Sequence, residues 1–353
     1  IGIAVAVEGW SGYFPINHEG GGNMDRALTL DWFEEVLHTP ATKIFHNAMY
    51  DVSWIRSLGF QINGGIVDTL IAASLINENR WGYSLNALGK EYVGMGKNEK
   101  ILNEAAKDWG VDPKSEMWRL PAPLVGEYAE QDAIVTLKLW HALQHEISKQ
   151  DLWDVFNMET NLFPCLVDMK FKGVRVDINK AEALKKQLTV TEKDMHRDIK
   201  KLAGFDVEIW AAASIAKAFD KEKIPYDRTE KGAPSFTKNF LATHPAELPK
   251  LINEAREINK ANTTFIETIL KHEHNGRIHA DINQIRSDQG GTVTGRFSYS
   301  NPNLQQIPAR HKELGPLIRS LFIPEKDTKW GCFDYSQQEP RLVVHFASLL
   351  KLE

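Results

Sequence analysis

Acidic residues and one tyrosine in the first part of the chain have the types and spacing of a metal site. Asn47 and Asp51 lie at the junction between the apolar stretch TKIFHN and the helical stretch after it. Tyr128 and Asp132 are four residues apart in EYAEQDAIVTLKLWHAL, so they project from one face of a helix. Such a pair, opposite an Asp at a strand end, could hold a divalent ion and position its water. The alternative is that the pair belongs to the ordinary protein surface.

A further candidate metal ligand is Asp334 in KWGCFDYSQQEPR, directly after an apolar run. The stretch WGCF is expected to form a buried strand that ends at this Asp. Ser336 and Glu339 have the spacing of a capping box, and Pro340 falls in the first turn of the following helix. Glu339 therefore also has a purely structural explanation.

The stretch TVTGRFSYSNPNLQQIPARHKELGPLIRSLFIP has residue types suited to duplex DNA. Arg296 follows a glycine, and the polar run to Gln305 offers amides that suit acceptors in a minor groove. Arg310 and Arg319 are candidates for phosphate contacts. The alternative is a structured surface loop with incidental arginines.

The elements that must position the first site alternate between strand and helix. Strand, turn and strand are predicted in VAVEGWSGYFPI, a strand in TKIFHN, and a strand running into a helix in GGIVDTLIAASLINEN. Helices are predicted in TLDWFEEVLHT, MYDVSWIRSLG and SLNALGKEYVG, and a long one from about Leu124 to Lys149. This pattern predicts an α/β layer structure.

The middle of the chain is mostly helical by the same criteria. A helix over residues 151–173 is expected to break near Pro164 and to end at Gly173. The next helix is expected to begin at an N-cap Asn179 and to end at Gly204. ELPKLINEAREINKANTTFIETILKH is also helical, and GRIHADINQ starts a strand.

Length and composition fit a globular protein of two or three domains. The chain has 353 residues, of which 42% are hydrophobic and 25% charged, and it contains no long apolar run typical of a membrane span. The net charge of -5 argues weakly against a nucleic-acid partner, but residues 286–320 carry five Lys or Arg against two acids. Cys165 and Cys332 are expected to be buried thiols of a reducing cytosol.

The stretches HNAMYD, VDTLIAASLIN and YAEQD, in this order, resemble the 3′-5′ exonuclease fold shared by DNA polymerase I-like enzymes and RNase D-like nucleases. The resemblance covers roughly residues 1–148. It implies two metal ions, with Asp51 and Asp132 as ligands and Tyr128 orienting the attacking water. The first motif of that family, an Asp-x-Glu on the strand that precedes IGIAVAV, is not in the sequence, and Glu8 is the acid nearest to that place. This set of residues is therefore expected to bind metal poorly and to hydrolyse little.

The stretches TGRFS, NPNLQQIPAR, GPLIRSLF and DYSQQEPR closely resemble the palm of family A DNA polymerases, and REINKANTTF resembles their thumb. The resemblance implies that Asp334 binds both catalytic ions with the Tyr335 carbonyl, and that Glu339 is the steric gate against a ribose 2′-OH. It implies that Arg296 reads the primer-terminal base pair and that Gln305 contacts the template side. Pro340 departs from the family, which usually has a bulky apolar residue there.

The expected site residues fall into four sets. The catalytic residues are Asp334, Glu339 and Tyr128; the metal ligands are Asp334, Tyr335, Asp51 and Asp132; the nucleotide-binding residues are Tyr335, Ser336, Gln337 and Glu339; and the DNA-binding residues are Arg296, Gln305, Arg310, Arg256, Lys260 and Asn303.

The sequence thus predicts a ribonuclease H-like exonuclease domain lacking its first strand (1–150), a connecting segment with a mostly helical thumb (151–285), and the start of a polymerase palm (286–353). The chain is interpreted as an internal fragment of a DNA-directed DNA polymerase, cut before the fingers and inactive by itself. The expected cofactor is Mg²⁺, as two ions, with Mn²⁺ as a substitute.

The expected partners are primer-template DNA, dNTP and processivity or replisome proteins. A monomer is expected in the bacterial or phage-infected cytoplasm, without membrane contact. One alternative is an RNase D-like 3′-5′ exonuclease with an unrelated nucleic-acid-binding domain, and another is a duplex-binding module with vestigial sites.

Overall fold

The computed structural model describes residues 1–288, 290–309 and 311–351. The chain divides into two compact units. The first unit is Ile1–Gly173 together with His279–Ile307, and the second unit is Val174–Ile278 together with Pro308–Glu353.

The described residues form mainly helices, with short strands between them. The helices are α1 (Arg26–His38), α2 (Ala48–Ser57), α3 (Thr69–Ile76), α4 (Leu85–Tyr92), α5 (Lys100–Trp109), α6 (Ala122–Lys149), α7 (Trp153–Lys172), α8 (Ile178–Ala203), α9 (Ala212–Lys221), α10 (Lys238–Thr243), α11 (Glu247–Lys260), α12 (Glu267–Lys271), α13 (Leu314–Arg319) and α14 (Gln338–Leu349). A π-helical segment, Ala261–Ile266, joins α11 to α12, and 3-10 turns occur at Met117–Arg119 and Leu304–Gln306. The strands are β1 (Gly2–Val7), β2 (Trp10–Pro15), β3 (Lys43–Phe45), β4 (Ile66–Asp68), β5 (Val174–Arg175), β6 (Asp227–Arg228), β7 (Pro234–Ser235), β8 (Glu273–His274), β9 (Arg277–Ile278), β10 (Asp281–Asn283) and β11 (Ser298–Ser300).

The first unit combines short strands with helices, so the predicted α/β class is confirmed. β1 and β2 form an antiparallel hairpin, whereas β3 pairs in parallel with β4, Lys43 opposite Ile66. A parallel pair needs a crossover connection, and α2 supplies it in this unit. Because parallel strands end at the same edge, the residues after Phe45 and the carboxyl end of β4 come together.

Helix α6 carries the largest part of the first unit's core. Val135, Leu139, Leu143 and Ile147 repeat every four residues and are fully buried in one hydrophobic cluster, with α3 and α4 packed against the helix. Burying each such side chain contributes about 1.5–3 kcal/mol relative to exposure. The same helix carries Tyr128 and Asp132 in its first half, so this packing fixes their position.

The first unit is assembled from two separate stretches of chain. The hydroxyl of Ser74 donates to the Arg286 carbonyl oxygen (2.7 Å), and the Tyr83 N–H donates to the Asp288 carboxylate (2.5 Å). The Gln284 amide donates to the carbonyl oxygen of Glu159 (2.7 Å). Hydrogen bonds therefore join the stretch 279–307 to the rest of the first unit.

The second unit is built around α8 and α11, which pack along each other. Its cluster of buried side chains includes Ile199, Ile215, Phe219, Leu241 and Ile252. Three short strands pair in the order β5, β9, β8, and Val176 bridges to Phe322. The predicted helical character of this part is confirmed.

Helix α7 differs from the prediction because it runs without a break through Pro164. The proline faces solvent, while Phe163, Leu166 and Val167 are buried on the other face. The packing of this apolar face keeps the helix continuous even though proline removes one backbone hydrogen bond. The predicted end at Gly173 is confirmed.

Two predicted helix caps are wrong. Helix α8 is capped by Asp177, whose carboxylate accepts from the Lys180 N–H (3.0 Å), so the helix begins before Asn179. At α14 the residue before the helix is Gln337, in a left-handed conformation with φ 54°, which puts Ser336 outside the cap position. The Ser336 carbonyl oxygen accepts from the Arg341 guanidinium instead (2.9 Å).

The predicted buried strand WGCF is also wrong. Residues 330–333 have no strand partner among the described ranges, and Phe333 is 98% exposed. A strand is stable only when a neighbour pairs with its backbone, and the apolar pattern alone does not supply one. Cys332 lies in this segment and Cys165 on the outer face of α7, so both thiols are exposed rather than buried. In the part of the chain that the structure describes, no helix is long and apolar enough to cross a membrane.

Candidate functional site

The carboxyl ends of β3 and β4 meet at Asp68, the last residue of β4. Its carboxylate accepts from the backbone N–H of Asn47 (2.9 Å), Ala48 (2.8 Å) and Leu70 (2.8 Å). It therefore caps α3 and also holds the start of α2, where Asn47 takes a left-handed conformation with φ 66°. Burial raises the pKa of Asp68 to about 6, against the opposing effect of these three hydrogen bonds.

Asp51 lies one turn into α2, beside Asp68. Burial, and then the charge of Asp68, raise the pKa of Asp51 to about 7. Two carboxylates that are partly withdrawn from water and repel each other are a favourable environment for a cation. A cavity of about 150 Å³ is lined by Asn47, Tyr50 and Asp68 among others, all in the first unit.

Tyr128 and Asp132 are joined through Lys97, which lies between α4 and α5. The Lys97 ammonium donates to the Asp132 carboxylate Oδ2 (2.7 Å) and to the Tyr128 hydroxyl (2.9 Å). Burial raises the pKa of the Asp132 carboxyl, and the hydrogen bond from Lys97 opposes this. Burial also raises the pKa of the Tyr128 hydroxyl, which stays neutral and able to donate or accept.

The donor set suits a divalent cation at one atom in particular. Asp132 Oδ1 is buried and has no hydrogen-bond partner among the described residues, and carboxylate oxygens are preferred ligands of Mg²⁺. The described ranges contain no group of three or more His, Cys, Asp or Glu side chains with the spacing of a metal site. Asp132 thus fits a cation through Oδ1, whereas its other oxygen is engaged by Lys97.

Residues 296–305 fold back on themselves in the first unit. The Gln305 amide donates to the Phe297 carbonyl oxygen (2.9 Å), which places it against the residue after Arg296. The Asn303 carboxamide oxygen accepts from the Gln305 N–H (3.1 Å), and the Arg296 carbonyl oxygen accepts from Thr292 (2.8 Å). The side chains of Arg296, Asn303 and Gln305 are exposed. Arg310 lies outside the described residues.

Arg256 and Lys260 lie one turn apart on α11 but in different environments. The Arg256 guanidinium donates to the carbonyl oxygens of Ile209 (2.6 Å) and Phe236 (2.9 Å) and lies 5.1 Å from the centre of the Trp210 ring. Lys260 is exposed at the end of the helix, immediately before the π-helical segment. Arg256 thus serves the packing of the second unit, while Lys260 faces solvent.

Asp334, Tyr335 and Ser336 form an exposed segment before α14, and Gln337 turns the chain into that helix. Glu339 is in the first turn of α14, where an acidic side chain interacts favourably with the helix dipole. Arg319 ends α13 and is exposed. The candidate nucleotide-binding residues thus lie near one another as neighbours in sequence, at the start of α14.

Sequence reasoning missed Lys97 and Asp68. The signal for Asp68 was present, since an Asp directly before a helix and after an apolar strand is a good N-cap. Nothing in the sequence around Lys97 indicates its contact, which depends on a loop packing against a helix about thirty residues further along the chain.

Comparisons with known proteins identify both halves of the chain. Residues 11–148 match the sequence model of a 3′-5′ exonuclease, and residues 178–352 match that of DNA polymerase family A. The two matches place a 3′-5′ exonuclease domain ahead of a domain of DNA polymerase family A in this chain. The chain belongs to DNA polymerase family A, so the predicted resemblance is confirmed. The alternative of an RNase D-like nuclease is not favoured, because the polymerase match includes the second half.

Individual relatives agree with this assignment. The chain is 36% identical to a DNA-directed DNA polymerase of Pseudomonas phage M6, over 99% of this chain and 55% of that protein. It is 29% identical to DNA polymerase I of Pseudomonas aeruginosa, over 98% of this chain and 39% of that protein. The chain spans about half the length of the curated phage relatives that it matches.

A solved structure shares the fold. The POL domain of Pol1 from M. smegmatis, solved in complex with DNA primer-template and dNTP, aligns with a TM-score of 0.73 and 21% identity, over 98% of this chain and 56% of that one.

Proposed function

We propose that the protein is a DNA-directed DNA polymerase with an associated 3′-5′ exonuclease, which adds dNTPs to a primer and removes nucleotides from its 3′ end. The observation that carries this proposal is the family A match over residues 178–352, which includes the exposed Asp334. We assign residues 1–150 to the exonuclease, 151–285 to the connecting segment and thumb, and 286–353 to the palm.

At the polymerase site, the Asp334 carboxylate and the Tyr335 carbonyl oxygen would hold Mg²⁺. Bound there, two ions would stabilise the attacking and leaving oxygens of the phosphoryl transfer. Ser336 and Gln337 line the approach of the nucleotide, and Glu339 excludes a ribose 2′-OH by its bulk. The exposure of Asp334 supports this role because the carboxylate is accessible to an ion and a triphosphate.

We assign contacts with the primer-template DNA to residues of each unit separately. Arg296 contacts the primer-terminal base pair in the minor groove, and Asn303 and Gln305 support it from the template side. Lys260 and Arg310 each neutralise one phosphate of the DNA backbone. Arg256 contributes to DNA binding by the second unit chiefly by holding the carbonyl groups of Ile209 and Phe236 in place.

At the exonuclease site, Asp51 and Asp132 would be the metal ligands and Tyr128 would orient the water. The raised pKa of Asp51 supports this, because a bound divalent cation would relieve the repulsion between Asp51 and Asp68. Asp68 positions the start of α2, and hence Asp51, without needing to contact the substrate.

The test separates the two activities in the complete protein. Asp334→Asn is expected to abolish primer extension by Mg²⁺ and dNTPs while leaving 3′-end degradation intact. Asp132→Asn is expected to do the opposite. Extension that survives Asp334→Asn would contradict the polymerase assignment, and degradation that survives Asp132→Asn would contradict the exonuclease assignment. Degradation without any extension in the unmodified protein would favour the nuclease alternative.

A further inference from the structure

The Lys97 ammonium is a cation placed directly on the Tyr128–Asp132 pair. The lysine side chain is 19% exposed and the Asp132 side chain 25% exposed, so the ion pair is largely shielded from water. Two of the three ammonium protons are used by the carboxylate (2.7 Å) and the hydroxyl (2.9 Å). This contact neutralises the carboxylate on the side that faces the tyrosine.

The backbone around Lys97 is fixed to its surroundings. The Gln131 amide donates to the Gly96 carbonyl oxygen (2.6 Å), and the Lys97 N–H donates to the Asn86 carboxamide (2.9 Å). The Asn98 amide donates to Glu127 (3.1 Å). Two of these partners are on α6, the helix that carries Tyr128 and Asp132. The loop is therefore held in a fixed position relative to this pair. The lysine side chain has four rotatable bonds and can withdraw while the loop stays in place.

The second oxygen of the same carboxylate is left without a partner. Asp132 Oδ1 is buried and accepts no hydrogen bond from the described residues. A buried anionic oxygen without a partner is unfavourable, and a cation would satisfy it. A divalent ion at Oδ1 and an ammonium at Oδ2 of one carboxylate would repel each other across a few ångströms in partly dehydrated surroundings.

We propose that Lys97 is a positioning residue that competes with the divalent cation for Asp132. With Lys97 on the carboxylate, the Tyr128–Asp132 pair is held in a metal-poor closed state; when the lysine withdraws, the carboxylate binds the ion. The inference rests on the proposed exonuclease site. The Lys97–Asp132 contact thereby sets the concentration of divalent metal that this site requires.

The test is a titration of the metal-free complete protein with Mn²⁺, following free Mn²⁺ by electron paramagnetic resonance. Lys97→Met removes the charge and keeps most of the side-chain volume, and its Mn²⁺ dissociation constant is expected to fall by about tenfold or more. Lys97→Arg retains the charge and is expected to stay within about twofold of the unmodified chain. Lys100→Met, three residues further along and exposed, is the matched control and is also expected to leave the dissociation constant unchanged.

Asp132→Asn distinguishes the possible outcomes. If Mn²⁺ binding depends on Asp132 but is equal or weaker in Lys97→Met, the metal site stands and the role of Lys97 is overturned. If no variant shows Mn²⁺ binding that depends on Asp132, the proposed metal site itself is overturned, and the role of Lys97 with it. Circular dichroism and urea unfolding of Lys97→Met and Lys97→Arg show whether either change acts through folding.

Discussion

Asp68 and Asn47 are joined by a hydrogen bond from the Asn47 N–H to the Asp68 carboxylate (2.9 Å), across the ends of two parallel strands. The same carboxylate holds the N–H groups of Ala48 and Leu70. One buried side chain therefore organises the beginnings of both α2 and α3. Removing this carboxylate is therefore expected to shift Asp51, although the Asp51 side chain itself is unchanged.

The first prediction concerns this carboxylate. Asp68→Ala leaves three backbone N–H groups without their acceptor, and we expect the free energy of unfolding to fall by about 2 kcal/mol or more in urea unfolding. Asp25→Ala removes an exposed cap that accepts from the Leu28 N–H alone, and about 1 kcal/mol is expected there. Equal losses in the two variants would contradict the organising role of Asp68.

The second prediction concerns pH. Because the pKa of Asp51 is raised from 3.8 to about 7, the folded chain holds this proton more tightly than the unfolded chain. The contribution of Asp51 to the free energy of unfolding therefore decreases as pH rises from about 4 to about 7 and levels off above that. In metal-free buffer, Asp51→Asn is expected to flatten this decrease and to stabilise the chain at about pH 8, by no more than about 4 kcal/mol.

Asp108→Asn, on the exposed surface of α5, is the control for this experiment. Urea unfolding at a series of pH values, with a chelator present throughout, measures the effect. An Asp51→Asn chain that shows the same pH dependence as the unmodified chain would contradict the raised pKa.

The third prediction separates Lys260 from Arg256. Lys260→Ala is expected to weaken primer-template binding and to reduce the slope of log K against log salt by about 1, with unfolding unchanged. Fluorescence anisotropy at several salt concentrations measures this. An unchanged slope would show that Lys260 neutralises no phosphate.

A fourth prediction follows for Arg256. Arg256→Ala leaves the carbonyl oxygens of Ile209 and Phe236 without their donor and removes a cation over the Trp210 ring. We expect a loss of about 2–3 kcal/mol in unfolding, and Arg256→Lys is expected to recover only part of it because lysine lacks the planar fork. Full stability in Arg256→Ala would contradict a packing role.

The fifth prediction concerns Arg296 and Gln305. Gln305 holds the carbonyl of Phe297, next to Arg296, so the two residues are expected to act together. In a double-mutant cycle on primer extension by the complete protein, Arg296→Ala and Gln305→Ala are expected to be non-additive by about 0.5–3 kcal/mol. Gln306→Ala, exposed and next in sequence, is the control. Additive effects would mean that Gln305 does not position the arginine.

Local patterns predicted the elements whose signals lie within one stretch of sequence. The hairpin of β1 and β2, the long α6 and the end of α7 at Gly173 follow from apolar periodicity and from helix-ending residues. The placement of Tyr128 and Asp132 on one face of α6 follows from helix geometry. These features need no knowledge of the rest of the fold.

Features that depend on distant partners were not predictable from local patterns. The Lys97 contact joins a loop to a helix, and the continuity of α7 across Pro164 depends on what its apolar face packs against. The stretch WGCF has a strand pattern, but a strand needs a neighbour that the pattern does not identify. In each case the deciding interaction is absent from the local sequence.

The division of the first unit into two stretches has a consequence for biosynthesis. Ser74, Tyr83 and Glu159 leave the ribosome well before their partners at residues 284–288, since the whole of 174–278 is translated in between. The first stretch of the first unit is therefore synthesised before the second stretch that completes the unit. The closure of this unit therefore waits until the intervening segment 174–278 and the stretch after it have been synthesised.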